Sequence, residues 1–221
     1  MNHVIHLWGR ISSINVRKVV WTAQELGLDF QRTDAGAAYG VTTTPDYLRK
    51  NPNALVPLLE DGDFVLWESN AIVRYLCAQY GSSHSLYPAE LHARFDAERW
   101  MDWQQTTFNR AGGPAFIQLI RTAPEARQPE LVRQSVAATE PLLAMLDTHL
   151  QGRAYMGGEV FGMADIPLGC EMHRWWGMPS HLFEAVGVPR QELPAYPHVQ
   201  RWFHALRQRP AARGVLDLAL A

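Results

Sequence analysis

"LVPLLEDGDFVLWESNAIVRYL", from Leu55 to Leu76, sets a proline before a strand-like run, an Asp-Gly pair after it, a second strand-like run, and Glu-Ser at the mouth of an apolar helix. The runs "VPLLE" and "FVLWE" flank Asp61-Gly62, and glycine tolerates the positive φ that tight hairpin turns need, so the stretch predicts an antiparallel hairpin. Pro57 at the start of a strand costs no ladder hydrogen bond. The following helix runs from Ser69 to about Tyr80 and stops at Gly81.

Upstream, "VIHLW" (Val4 to Trp8) reads as a strand, "GRISS" as a loop, and about Asn15 to Leu26 as a helix with Val16, Val19, Val20, Ala23 and Leu26 at helical spacing, closed by Gly27. "LDFQRTD" is a second strand candidate, and a short helix is expected from Pro45 to Arg49. The order β-α-β-α-β-β-α makes residues 1–81 a small α/β domain. Residues 82–89 read as a linker with Ser and Pro at its edges, and 90–221 as an all-α bundle. Helices are expected over about Glu90 to Arg121, which Pro114 should kink or break, then Glu130 to Leu150, Asp165 to Trp176 and Tyr196 to Gln208.

Composition narrows the function. The 221 residues are 47% hydrophobic and 19% charged, as in ordinary globular proteins. Twenty basic against 22 acidic residues leave no basic footprint for nucleic acid. Cys77 and Cys170 are the two cysteines, without a Cys-x-x-Cys pair, which excludes a disulfide framework and a zinc ribbon. The start "MNHVIHLWGR" lacks the apolar core of a signal peptide and no run of about 18 apolar residues occurs, so a cytoplasmic protein with no membrane partner is expected. The nine histidines contain no His-Glu-x-x-His, and His3 and His6 should point to opposite faces of a strand, so no metal is expected.

Four segments in register, "SSINVRKVVWTAQELGL", "NPNALVPLLEDGDFVLWESNAIVRYL", "FGMADIPLG" and "YPHVQRWFHALRQRPAAR", make the chain resemble the cytosolic glutathione transferases, with "SSIN" most similar to the serine-type theta, phi and bacterial theta-like branches. The resemblance implies a thioredoxin-like N-terminal domain, an all-helical C-terminal domain, glutathione as co-substrate, no metal, and a homodimer. It implies a cis bond before Pro57, so that the Val56 N–H and C=O pair with the cysteinyl backbone of glutathione, an extended peptide added to a free backbone edge. It gives Glu68 the α-amino group and Ser69 the γ-glutamyl α-carboxylate at a helix N-terminus. An ungapped match at the first helix gives the catalytic hydroxyl to Ser13, with the adjacent Ser12 as rival; each can also be a plain helix cap.

By the same resemblance the electrophile binds in the cleft between domains. Trp103, Thr106, Thr107 and Arg110 on one helical face, with Trp175 and Trp176, are the candidates, although aromatics at that spacing also suit a core. Two departures stand out. The positions of a His-Lys pair that holds the glycyl carboxylate in the phi pattern read Thr42-Thr43, and Gly162 stands where a Ser or Thr usually caps the helix of "ADIPLG", with Asp165 still able to reach back to the cap N–H. The expected reaction is attack of the glutathione thiolate on a small electrophile. The alternatives are a glutathione-dependent disulfide reductase, peroxidase or isomerase on the same site, and a binding or structural protein that keeps the fold without catalysis.

Overall fold

The computed structural model describes residues 4–81, 86–188 and 196–220. The chain divides into two compact units, Met1–Pro88 and Ala89–Ala221. Residues 82–85 of the 82–89 segment and His3 lie outside the described residues.

The first unit runs β1 (Ile5–Trp8), α1 (Ile14–Glu25), β2 (Phe30–Thr33), α2 (Pro45–Lys50), β3 (Leu58–Asp61), β4 (Phe64–Trp67) and α3 (Ser69–Tyr80), the expected order. The sheet is ordered β2-β1-β3-β4, with β1 and β2 parallel and the other pairs antiparallel. Leu58 and Leu59 point to opposite faces and both are fully buried, so the sheet is covered on both sides. On one side the Trp8 ring meets Tyr47 of α2 edge-on at 6.3 Å, under the Lys50 ammonium. Elsewhere α1 and α3 pack together, burying Val16, Val19 and Val20 of one and Ile72, Val73 and Leu76 of the other, each such side chain contributing ~1.5–3 kcal/mol.

The hairpin turns one residue later than the sequence suggests. Asp61 is still in the ladder, paired with Phe64, and the loop is Gly62-Asp63, with Gly62 at φ 62 in the first loop position that a type II′ turn gives to glycine. Asp61 Oδ2 accepts the hydroxyls of Tyr75 and Tyr80, each at 2.6 Å, which ties the strand end to α3.

The second unit is helical: α4 (Leu91–Trp103), α5 (Asn109–Phe116), α6 (Pro129–Leu150), α7 (Asp165–Gly177), α8 (Ser180–Ala185) and α9 (Pro197–Arg207). The six-residue α8 was not expected; it is too short to show a period. Nor does Pro114 break its helix. α4 passes into α5 through a π-helical stretch, Gln104–Phe108, and α5 into another, Ile117–Arg121. The Ser135 hydroxyl of α6 accepts from Ala115 N–H at 3.2 Å and donates to Ala111 C=O at 2.5 Å, bridging the one turn where the ladder opens beside the proline.

Two buried polar nodes tie this unit together. Arg174 of α7 bonds the Glu171 carboxylate and Asn109 Oδ1, while Gln104 Nε2 donates to the other Glu171 oxygen at 2.6 Å. Asp165, fully buried, accepts from Met156 N–H (2.9 Å), Trp202 Nε1–H (2.7 Å) and Gly162 N–H (2.9 Å). The last is the expected reach back to Gly162 N–H, but Gly162 is not the cap: α7 begins at Asp165 with Ala164 at its N-cap, so the bond closes the turn before the helix. Burial pushes the Asp165 carboxyl up to about 6, with the Met156, Trp202 and Gly162 hydrogen bonds and Arg209 pulling the other way.

Candidate active site

Strand directions gather the loops. Trp8 pairs with Thr33 and with Leu58, and Leu58 with Trp67, so the segments after β1, β2 and β4 and the segment before β3 meet at one end of the sheet. Both α1 and α3 begin at that end, and no side chain caps either of them. Their open N–H groups give the place a positive potential.

At its centre is Val56. The Val56-Pro57 bond is cis, and β3 begins only at Leu58, so the Val56 N–H and C=O take no partner among the described residues. The carbonyl before them is not free: Leu55 O accepts from Tyr47 Oη (2.6 Å) and Asn51 Nδ2 (2.8 Å), which fix the loop. A short, held backbone edge with an unused donor and acceptor suits an extended peptide.

On the β4 side of Val56 stand Glu68 and Ser69. Glu68, the N-cap residue of α3, is held at φ 73 and ψ 111, a conformation that costs a residue with a Cβ ~1–3 kcal/mol and that concentrates at ligand sites. Its exposed carboxylate has no partner among the described residues. Ser69 is the first residue of α3 rather than its cap, and its single hydroxyl proton goes to Asn15 Oδ1 at 3.3 Å. What Ser69 offers an anion is therefore its backbone N–H. Asn15, in the first turn of α1, went unnoticed in the sequence; its place two residues after Ser13 in "SSIN" was the one available signal.

The loop between β1 and α1 brings Ser13. Gly9 starts it at φ 148, where a Cβ would fall 2.4 Å from Val16 Cγ2 and 3.2 Å from Val56 Cβ, so glycine lets the loop lie against both. Arg17 Nε holds Ile11 O at 2.9 Å. Ser13 occupies the N-cap position of α1 with 8% of its surface exposed, yet its hydroxyl makes no cap bond. Ser12, the rival, is half-buried in the preceding turn.

The six residues suggested for the electrophile do not form one set. Trp175 is core: 2% exposed, with its ring on Phe183 and beneath Gly112, it has no face left for a ligand. Trp103 lines a pocket of about 650 Å³ with Arg99, Trp100, Met145, Thr148 and His149, and not with Thr106, Thr107 or Arg110. The reason is the π-helical stretch Gln104–Phe108, which breaks the 3.6-residue period on which a common face depended. Thr106 and Arg110 are exposed and Thr107 half-buried, while Trp176 lines a pocket of about 890 Å³ with His173, Phe203 and Arg207.

Neither cysteine is a nucleophile in this structure. Both are buried, and burial pushes the Cys77 thiol up to about 12. Among the described residues no group of three His, Cys, Asp or Glu side chains is placed to hold a metal, and no helix is long and apolar enough to cross a membrane.

A thioredoxin-like sheet whose end presents a free Val-Pro edge, followed by a helical unit, defines a class, and sequence comparison agrees with it. The family model of the glutathione S-transferase N-terminal domain matches residues 3–78 and that of the C-terminal domain residues 108–210. The chain belongs to the glutathione S-transferase family. It is 39% identical to glutathione S-transferase GstB of Escherichia coli (strain K12), over 99% of this chain and 100% of that one. To glutathione S-transferase 3 of Zea mays it is 32% identical, over 94% and 90% of the two chains. The crystal structure of the theta class glutathione S-transferase from Xanthomonas axonopodis pv. citri with glutathione bound is similar at a TM-score of 0.89 and 40% identity, covering 99% of this chain and 100% of that one.

Proposed function

We propose that the protein conjugates glutathione to small electrophiles, with Ser13 as the activating hydroxyl. The observation that carries this reading is the unbonded Ser13 hydroxyl at the same sheet end as the unpaired Val56 backbone and the open N-terminus of α3. The Val56 N–H and C=O pair with the cysteinyl unit beside Pro57, the Glu68 carboxylate meets the α-amino group, and the Ser69 N–H takes the γ-glutamyl carboxylate. Ser13 then donates to the sulfur and favours thiolate over thiol. Bringing a thiol from about 8.5 to near 6.5 needs ~2.7 kcal/mol, and one hydrogen bond to a charged group supplies ~1.5–3 kcal/mol, with the α1 terminus adding to it. Proximity does the rest.

Trp103, Thr106, Thr107, Arg110 and Trp176 remain the candidates for electrophile contacts. The division into a glutathione-binding domain over 1–81 and a helical domain over 90–221 belongs to the same reading. So do a cytoplasmic location, a detoxifying role and a homodimer. Exposed apolar side chains support the last: Leu91 and Phe95, one turn apart on α4, are 57% and 60% exposed, and Phe64 and Trp67 lie open on the edge strand β4. The buried thiols speak against reductase chemistry by the protein's own cysteines.

The test separates binding from activation. Ser13→Ala should bind glutathione nearly as wild type does, yet raise the thiol pKa of the bound tripeptide by about one to two units, read from thiolate ultraviolet absorbance during a pH titration. Ser12→Ala should leave it in place. A shift with Ser12→Ala alone would move the role to Ser12, and no shift in either would end the serine mechanism.

A further inference from the structure

The site as built leaves one end of the peptide without a counter-charge. A tripeptide with its γ-glutamyl end at Glu68 and Ser69 and its cysteinyl backbone on Val56 ends in a glycyl carboxylate, and the nearby Thr42-Thr43 are neutral. We infer that Arg10 binds this carboxylate and so makes the enzyme selective for the complete tripeptide; the inference rests on the glutathione reading above.

Three observations carry it. The first is the order of the loops along the sheet end, which follows the strand order: the loop after β2, the β1 loop with Arg10, then Val56 before β3, then Glu68 and Ser69 after β4. A peptide anchored at Ser69 and laid along Val56 runs toward the β1 and β2 loops. Strands are ~4.8 Å apart, so the end of β1 lies about 10 Å from the end of β4, close to the span of three extended residues at ~3.5 Å each.

The second is that the guanidinium has a seat. A Cβ built on Gly36, at φ 80 in the loop after β2, would stand 3.0 Å from Arg10 Nη1 and 3.4 Å from Val56 Cγ1. Arg10 therefore lies over the bare Cα of Gly36, beside Val56, in space that any other residue at 36 would fill. The loop backbone is held on both sides of it, with Arg10 N–H on Ala35 O at 3.2 Å and Ser13 N–H on Arg10 O at 3.1 Å.

The third is availability. In the first unit Arg32 is taken by Asp34 and Gly9 O, Arg49 by Asp46, Lys50 by Glu60, and Arg17 by Ile11 O, while Lys18 and Arg74 also have partners. Among the described residues of that unit, Arg10 is the one lysine or arginine whose side chain makes no hydrogen bond or ion pair. A guanidinium offers a planar fork that matches a carboxylate with two parallel bonds, which a pair of threonines cannot do.

The experiment is calorimetric titration of the full chain, wild type, Arg10→Gln and Arg10→Lys, with glutathione and with its glycyl C-terminal amide at fixed ionic strength. Wild type should bind the amide about ten- to a hundredfold more weakly than glutathione, Arg10→Gln should bind both with the same weakened affinity, and Arg10→Lys should recover part of the preference. Equal losses for both ligands in Arg10→Gln, or unchanged glutathione affinity, would overturn the assignment. So would a raised thiol pKa with unchanged affinity, which would put Arg10 at the sulfur. Failure of wild type to bind glutathione would defeat the reading of the site itself, whereas wild-type binding without amide discrimination would defeat only this inference.

Discussion

Asp165→Ala tests how the helical unit is held. The substitution strips the partner from two backbone N–H groups, of Met156 and Gly162, and from the Trp202 indole N–H. Each buried donor left without a partner costs ~1–3 kcal/mol, so the three together cost ~6 kcal/mol at the middle of the range. Against this stands the charge. Burial moves the carboxyl from 3.8 to about 6, which at ~1.4 kcal/mol per pH unit makes the ionised group a burden of about 3 kcal/mol that the alanine variant no longer carries. The net loss near neutral pH is about 3 kcal/mol. The folded pKa is the higher one, so the folded state binds the extra proton between about 4 and 6. This group's contribution is therefore present in full below about 4 and lost as pH rises through about 6. The gap between wild type and variant should widen on acidification, by ~1.4 kcal/mol between neutrality and a pH one unit below the folded value. Urea denaturation followed by circular dichroism at the two pH values measures it. A gap that narrows in acid would show that the three donors hold Asp165 as a favoured anion and would refute the burial argument.

Ser135→Ala should cost ~1–3 kcal/mol in urea, because Ala115 N–H is left in the core beside Pro114 without its bridge, and a Pro114→Ala background should reduce the loss. Gly162→Ser should leave stability unchanged or slightly raised and activity untouched, since Gly162 has no positive φ to defend; a clear drop in the urea midpoint would mean the chain there needs glycine.

The first unit was legible because local signals and tertiary need coincide in it. Apolar spacing gave α1, Gly27 and Gly81 closed helices where they occur, and Asp61-Gly62 announced the hairpin even though the loop proper is Gly62-Asp63. The cis bond before Pro57 and the start of α3 beside Glu68 could be anticipated because an X-Pro edge and a helix entry leave marks in a linear string. What the string could not carry is through-space insertion. Nothing within ten residues of Pro114 says that a serine twenty-one positions on will mend its helix, and nothing in "WQQTTF" says that the period will slip there and send Trp103 away from Thr106 and Arg110. Asn15 and Arg10 escaped for the same reason: their placement depends on Ser69 and Gly36, distant in sequence and adjacent only across the sheet end.

Gly9 acts as a spacer of zero thickness. With Val16 of α1 and Val56 both against it, it sets the gap between the loop that carries Ser13 and the backbone proposed to receive the peptide. Alanine, the next size up, is already too wide, so this gap has no graded variants: a Cβ at position 9 meets Val16 Cγ2 and Val56 Cβ, and something there must shift. The width of the site is thus quantised, and on the proposed reading any tuning of reactivity has to come from side chains such as those at positions 10 and 68 rather than from the frame that holds them apart.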